Sequence, residues 1–213
     1  DSEMLSTEDV KAMVPILDCS KNARYPVLGA SLQKRGGVAR HDGVAWGYAR
    51  GADARGVDII QNCEVTGILR DGDKVTGVET TRGVIKAGKV AIVTAGHTSH
   101  VAAMAGIRLP IESFPLQAMV SEPIKPVLDC VVMSGAVHAY ISQSDRGEMV
   151  MGAGIDHFIS YAQRSTLAVV EEQMAAVTKL IPILSRLRLM RHWAGIVDTC
   201  PDASPIISKT PID

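Results

Sequence analysis

Across 213 residues, 22 Lys+Arg nearly balance 23 Asp+Glu, so no charge excess points toward nucleic acid or an anionic membrane surface, and a small molecule is the expected partner. Hydrophobic residues make up 46% of the chain, enough for the core of one large domain or two small ones, but aromatics are only 4%, so Leu, Ile, Val, Met and Ala must fill it. Four cysteines (Cys19, Cys63, Cys130, Cys200) without a CxxC pair argue against a zinc ribbon or thioredoxin-type site and fit reduced thiols in a cytoplasm.

No run approaches the roughly 18 apolar residues of a membrane span, and no basic-then-apolar signal peptide opens the chain. Asp1 is not an initiator methionine, and Ser208-Lys209-Thr210-Pro211-Ile212-Asp213 provides no obvious closing element. A piece of a longer polypeptide is expected.

In chain order, Ser6-Thr7-Glu8-Asp9 before Val10 has the spacing of a capping box, and Pro15 should stop that helix within two turns. Residues 15–37 mix Pro, Gly, Asn and Ser without periodicity and read as a long connection, a kind of segment that often borders sites. Asp42 is the expected N-cap of a helix through Arg55, closed by Gly56, with His41 just before its N-terminus. The helix dipole and free N–H groups there favour anions and disfavour a protonated imidazole. Ala45, Gly47, Ala49, Gly51, Ala52 and Ala54 give that helix a surface suited to close packing against a sheet.

Strands are predicted at 57–65, 66–70, 74–80, 83–87 and 89–94, with turns at Asp71-Gly72-Asp73 and Thr81-Arg82-Gly83. The apolar run Val90-Ala91-Ile92-Val93 leads into Ala95-Gly96-His97-Thr98-Ser99, where small residues let a ligand approach the backbone. Strand-like runs then recur at 115–121, 131–133, 138–142 and 148–152 and predict a second sheet. Ser165 to Ile181 places Leu167, Val170, Met174, Val177 and Ile181 on one helical face, Pro182 ends the helix, and 187–193 reads as a further strand. A return segment follows, rich in Asp and Pro, from Asp198 to Ile207.

This order resembles the D-amino-acid-oxidase-like flavoproteins. Gly36-Gly37-Val38-Ala39-Arg40-His41-Asp42 through Asn62-Cys63-Glu64-Val65-Thr66-Gly67-Ile68 is similar, more narrowly, to the beta subunits of heterotetrameric sarcosine oxidases. The likeness extends to Ala95-Gly96-His97-Thr98-Ser99, to Trp193-Ala194-Gly195-Ile196 and to Pro201-Asp202-Ala203-Ser204-Pro205-Ile206-Ile207.

The fold class that the resemblance implies is α/β plus α+β: an incomplete FAD-binding Rossmann-like layer with a β-meander, and an antiparallel-sheet substrate domain with packed helices. The corresponding division is a connecting or substrate-domain segment at 1–35, a partial FAD-binding domain at 36–105, a substrate domain at 106–195 and a return to the FAD-binding domain at 196–213. No GxGxxG loop occurs, so an internal fragment is expected, itself inactive.

The implied activity is oxidative demethylation of sarcosine to glycine, with hydride transfer to FAD, electron passage to FMN and peroxide formation. FMN would be covalently attached at His41, with Arg40 near the flavin or its phosphate. Val65 would end a strand contacting the adenine end of FAD, and Ala95, Gly96, His97 and Thr98 would approach the flavin. Tyr140 would cover the substrate or donate a hydrogen bond to its carboxylate. Partners would be sarcosine or a similar small secondary amine and the other oxidase subunits, with no nucleic acid or membrane, and self-association through uncovered apolar sheet is expected.

Two other readings stay open: a noncatalytic interaction module with an inherited flavoprotein fold, and an oxidase or dehydrogenase of dimethylglycine or of a secondary amine other than sarcosine. The HxxH spacing of His97 and His100 lacks further ligands, so no metal is expected. Gly152-Ala153-Gly154-Ile155-Asp156-His157 lacks the sixth-position Gly of a dinucleotide fingerprint and reads as a strand end. Arg186, Arg188 and Arg191 read as a solvated face or partner contact, and Ser99 and Ser204 lack a nucleophile elbow.

Overall fold

The computed structural model describes residues 2–210, the side chain of Ala153 excepted. In chain order the elements are β1 (Ser2–Leu5), α1 (Thr7–Met13), β2 (Ala30–Gln33), α2 (His41–Asp53), β3 (Val65–Asp71), β4 (Lys74–Thr80) and β5 (Gly83–Lys86). A 3₁₀ turn (Ala95–His97), α3 (Thr98–Met104), β6 (Glu112–Pro123), β7 (Val132–Ser134), β8 (Ala139–Gln143) and β9 (Glu148–Ile155) follow. The last are α4 (Leu167–Leu180), a second 3₁₀ turn (Pro182–Arg186) and β10 (Leu189–Thr199). The chain divides into two units: residues up to Val38 with Pro115–Gly195, and Ala39–Phe114 with the chain from Ile196 onward.

The first unit is organised by alternation. Along β6, Pro115, Gln117, Met119 and Ser121 are buried while the intervening residues are half-buried, so one face of the strand meets the core. β6 lies in a five-stranded sheet of order β10-β6-β9-β8-β7. Its antiparallel pairings with β9 and of β8 with β9 place Met119 opposite Met151 and Met151 opposite Ile141. Met119, Ile141, Met149 and Met151 are almost fully buried and join Val10 and Val14 after α1, Val170, Val177 and Leu180 of α4, and Ile181 and Leu184 beyond it. Flexible methionines fill a core that the scarcity of aromatics leaves to aliphatic residues.

The capping box forms as the spacing predicts: Ser6 Oγ accepts from Asp9 N at 3.2 Å and Ser6 N donates to Asp9 Oδ2 at 3.0 Å. α4 starts differently. Its N-cap Thr166 makes no side-chain cap bond, and the buried Gln117 amide substitutes, accepting from Thr166 N at 2.9 Å and donating to Asp156 Oδ2 at 3.2 Å and Thr166 Oγ1 at 3.1 Å. Two expectations need correction here. Leu167, placed on the buried face by helical spacing, is 71% exposed because it opens the helix, ahead of the turn that reaches the core. Residues 15–37 are not all connection, since β2 pairs with β1 through Leu5 opposite Ala30 and Met4 opposite Ser31.

In the second unit, β3, β4 and β5 form the expected antiparallel meander. Gly72, at φ 59°, supplies the left-handed position of its first turn. Arg70 Nη1 donates to Ala105 O at 3.0 Å, tying β3 to the end of α3. Residues 57–64 and 87–94 are not strands, contrary to their apolar pattern. Each meander strand finds its ladder partner across a short turn, whereas these two runs touch the meander through end bonds, Thr81 N to Glu64 O at 2.9 Å and Ala87 N to Thr76 O at 3.0 Å, without forming a ladder of their own. Val57, Ile59 and Ile60 are about half exposed and Val93 is 88% exposed. α2 likewise buries no residue, so its small-residue surface is not packed into a core as expected.

Candidate functional site

The turn at Ala95–His97 in the second unit is held in a constrained backbone conformation. Ala95 has φ 44°, the left-handed region that costs a residue with a Cβ on the order of 1–2 kcal/mol. Gly96 is buried, and a Cβ there would collide with Ile196 Cγ2 and Cβ, so only glycine allows this approach to β10. His97 N donates to Thr94 O at 3.0 Å, and Thr98 Oγ1 donates back to Ala95 O at 2.6 Å, closing the turn as α3 begins. Ala95 and His97 are exposed while Gly96 between them is buried.

Two side chains that sequence reasoning missed hold this turn. Ser113, 3% exposed, bonds through its hydroxyl to Gly96 O at 2.9 Å and Asp198 Oδ1 at 3.2 Å. Neither residue belongs to a recognisable motif. The available signal was a serine in register with the buried positions of β6.

Arg40 and His41 form a separate group at the start of α2. His41 is the first helical residue and Arg40 the N-cap, which corrects the expectation of Asp42 as N-cap with His41 outside the helix. Asp42 instead accepts from its neighbour Gly43 N at 2.9 Å, a bond that holds its carboxyl below the usual carboxylate range, with Arg40 3.8 Å from its Oδ1 adding to the effect. A side chain that bonds the adjacent N–H from inside the first turn is not a cap, and Arg40 at the N-cap position makes no side-chain cap bond. The helix ends at Asp53, short of Arg55, with Gly56 at φ 82° beyond it. Val65 is half-buried and opens β3, where a strand end was expected, because β3 gains its partner only from β4 onward.

Tyr140 lies in the first unit, on β8 opposite Gly152 of β9 and Met133 of β7. Its ring lies across Gly152: a Cβ at 152 would come within 2.6 Å of the Tyr140 hydroxyl and 2.7 Å of Cε1. Burial pushes its phenol above the ordinary 10.0, so the hydroxyl stays protonated and able to donate throughout the neutral range. Among the described residues no group of three His, Cys, Asp or Glu could hold a metal ion, and no helix is long and apolar enough to cross a membrane.

Comparison with known proteins matches residues 1–213 to the FAD dependent oxidoreductase (DAO) family. The sarcosine oxidase beta subunit of Arthrobacter sp is 58% identical over 212 residues, covering 100% of this chain and 52% of its own length. That of Rhizobium meliloti is 58% identical over 213 residues, covering 100% of this chain and 51% of its own. The chain therefore spans about half the length of the curated relatives it matches. Among solved structures, L-proline dehydrogenase from P. horikoshii superposes with a TM-score of 0.90 at 31% identity, over 98% of this chain and 56% of its own. Glycine oxidase from Geobacillus kaustophilus shares the fold, with a TM-score of 0.85 at 19% identity over 99% of this chain and 55% of its own.

Proposed function

The chain belongs to the family of FAD-dependent oxidoreductases, and from that premise we propose that it is part of a flavin-dependent amine oxidase subunit of the sarcosine oxidase type. High identity to sarcosine oxidase beta subunits along the whole chain carries the reading. It converts sarcosine or a closely similar secondary amine by oxidative demethylation, within an assembly that includes other subunits. The 213 residues alone do not turn over.

The residues present fit a flavin on one observation: a buried glycine, at a place where any Cβ would clash, anchors a strained turn whose Ala95 and His97 are exposed. When bound, FAD accepts the hydride taken from the amine. Ala95, Gly96, His97 and Thr98 form the wall that meets it, and Val65 lies near its adenine end. Tyr140, protonated and held across Gly152, donates a hydrogen bond to the substrate carboxylate and orients the amine for oxidation. His41, the first residue of α2, is the attachment residue for FMN by its place in the Gly36–Asp42 stretch that resembles the sarcosine oxidase beta subunits, and Arg40 beside it would neutralise the phosphate. Electrons would leave through that FMN to oxygen, forming peroxide.

Anaerobic mixing of the assembled full-length oxidase with sarcosine tests this. Loss of the oxidised-flavin absorbance within the turnover time is expected, and a tryptic peptide holding His41 should carry the mass of FMN. Bleaching by dimethylglycine and not by sarcosine would move the substrate to a tertiary amine, and bleaching by no amine would refute the proposal.

A further inference from the structure

Three segments far apart in sequence meet in the second unit around one buried hydroxyl. Ser113 lies on β6, between Gly96 O at 2.9 Å and Asp198 Oδ1 of β10 at 3.2 Å. A serine hydroxyl has a single hydrogen, so it serves one acceptor fully or shares itself between the two. Around it, Ser99 Oγ donates to Ile111 O at 3.1 Å and Thr199 Oγ1 donates to Glu112 O at 3.0 Å, stitching residues 99, 111–113 and 199 together. Gly96 lies against Ile196 so closely that no side chain fits, and Ala95 beside it is in the left-handed region.

A non-glycine residue keeps such a conformation only where its surroundings over-determine it. Thr98 Oγ1 closes the turn from within, and Ser113 fixes it from outside by a hydrogen bond to the turn's own carbonyl. Removal of that bond takes from Gly96 O its donor on β6 and frees Ala95 to relax toward an ordinary φ.

We infer that Ser113 is a positioning residue: with Asp198 and Ile196 behind it, it holds the Ala95–Thr98 turn in the shape that meets the flavin. The inference rests on the proposed role of that turn as a flavin wall. Asp198 acts through Ser113, fixing its rotamer, and Ile196 acts by contact with Gly96.

The test is FAD titration of the apoprotein of the full-length subunit carrying this sequence, read by quenching of flavin fluorescence and by the visible band of the bound flavin. S113A should weaken FAD by about fivefold, the worth of one ordinary hydrogen bond, and shift the bound-flavin band. S113T, which keeps the hydroxyl, should stay within about twofold of the parent, a rescue expected if the hydroxyl alone matters. S113C keeps the volume with a weaker donor and should behave as S113A, which covers the case in which alanine prevents folding. D198N should not weaken FAD, because its amide can donate to Ser113 Oγ and release the hydroxyl hydrogen to Gly96 O.

His97→Ala separates the two levels of the reading. If H97A weakens FAD while S113A and S113C leave affinity and spectrum unchanged, Ser113 is merely structural and the inference falls, with the flavin wall intact. If neither H97A nor the Ser113 variants changes FAD binding, the turn is no flavin wall and both fall.

Discussion

The five-stranded sheet of the first unit and the α2 region of the second have similar apolar content and opposite fates. In the sheet, β7, β8 and β9 follow one another through short connections, β6 and β10 join them from farther along the chain, and the apolar face closes over Met119, Ile141, Met149 and Met151. In the second unit the meander is equally local and forms equally well, but residues 57–64 and 87–94 form no ladder and stay irregular, and α2 lies with Trp46 and Tyr48 exposed. Antiparallel hairpins complete themselves; layers built by crossover need strands from elsewhere in sequence. The first unit therefore carries Tyr140 on a platform, a sheet with a closed apolar core, and under the proposed function the second supplies the walls that would face the cofactor.

The largest expected effect lies in the platform. Ile141 is fully buried, so Ile141→Ala should cost about 2–5 kcal/mol in a denaturant melt. A loss below about 0.5 kcal/mol, the range of surface substitutions, would break the contrast from one side. Gly152→Ala should cost about 1–3 kcal/mol by overpacking against the Tyr140 ring. In the assembled oxidase it should also raise KM for the amine by moving the phenol, and an unchanged KM would remove Tyr140 from the substrate.

A smaller effect is pH-linked. The Ser144 hydroxyl, bonded to its carboxylate, holds Glu148 below the ordinary 4.5. A lowered folded value contributes stability that is present above the unfolded value and lost as pH falls through the folded one. Melts of the parent should therefore decline faster below about pH 4.5 than those of Glu148→Gln. Parallel curves would show that the hairpin bond carries no linkage.

Smallest of all, Val93→Thr and Trp46→Ser should each shift the stability of the 213-residue chain by no more than about 0.5 kcal/mol, as surface changes do. They should nonetheless reduce the concentration-dependent self-association expected from those exposed groups, measurable by light scattering. A cost above about 2 kcal/mol at Val93, typical of a core truncation, would show that the second unit has a closed core there.

What could be read from sequence was whatever depends on neighbours. The Ser6 and Asp9 spacing gave the cap, Asp71-Gly72-Asp73 the hairpin, and the periodicity of Val170 and Val177 the buried face of α4. Features that depend on distant residues stayed hidden. The run Val90-Ala91-Ile92-Val93 carries strand propensity but no information about a partner, and the pairing of β1 with β2 joins segments separated by a helix and an irregular stretch. At the candidate site, small residues at 95–98 marked the turn, whereas Ser113 and Asp198, 85 residues apart, acquire their meaning only when β6 and β10 bring them together.

Hydrogen exchange of the full-length subunit with and without FAD tests the division between platform and walls most directly. FAD should slow exchange at the amides of 95–98 and 65–66 and leave those of Met149–Met151, already protected in the sheet, unchanged. Unaltered exchange at 95–98 on saturation with FAD would contradict it.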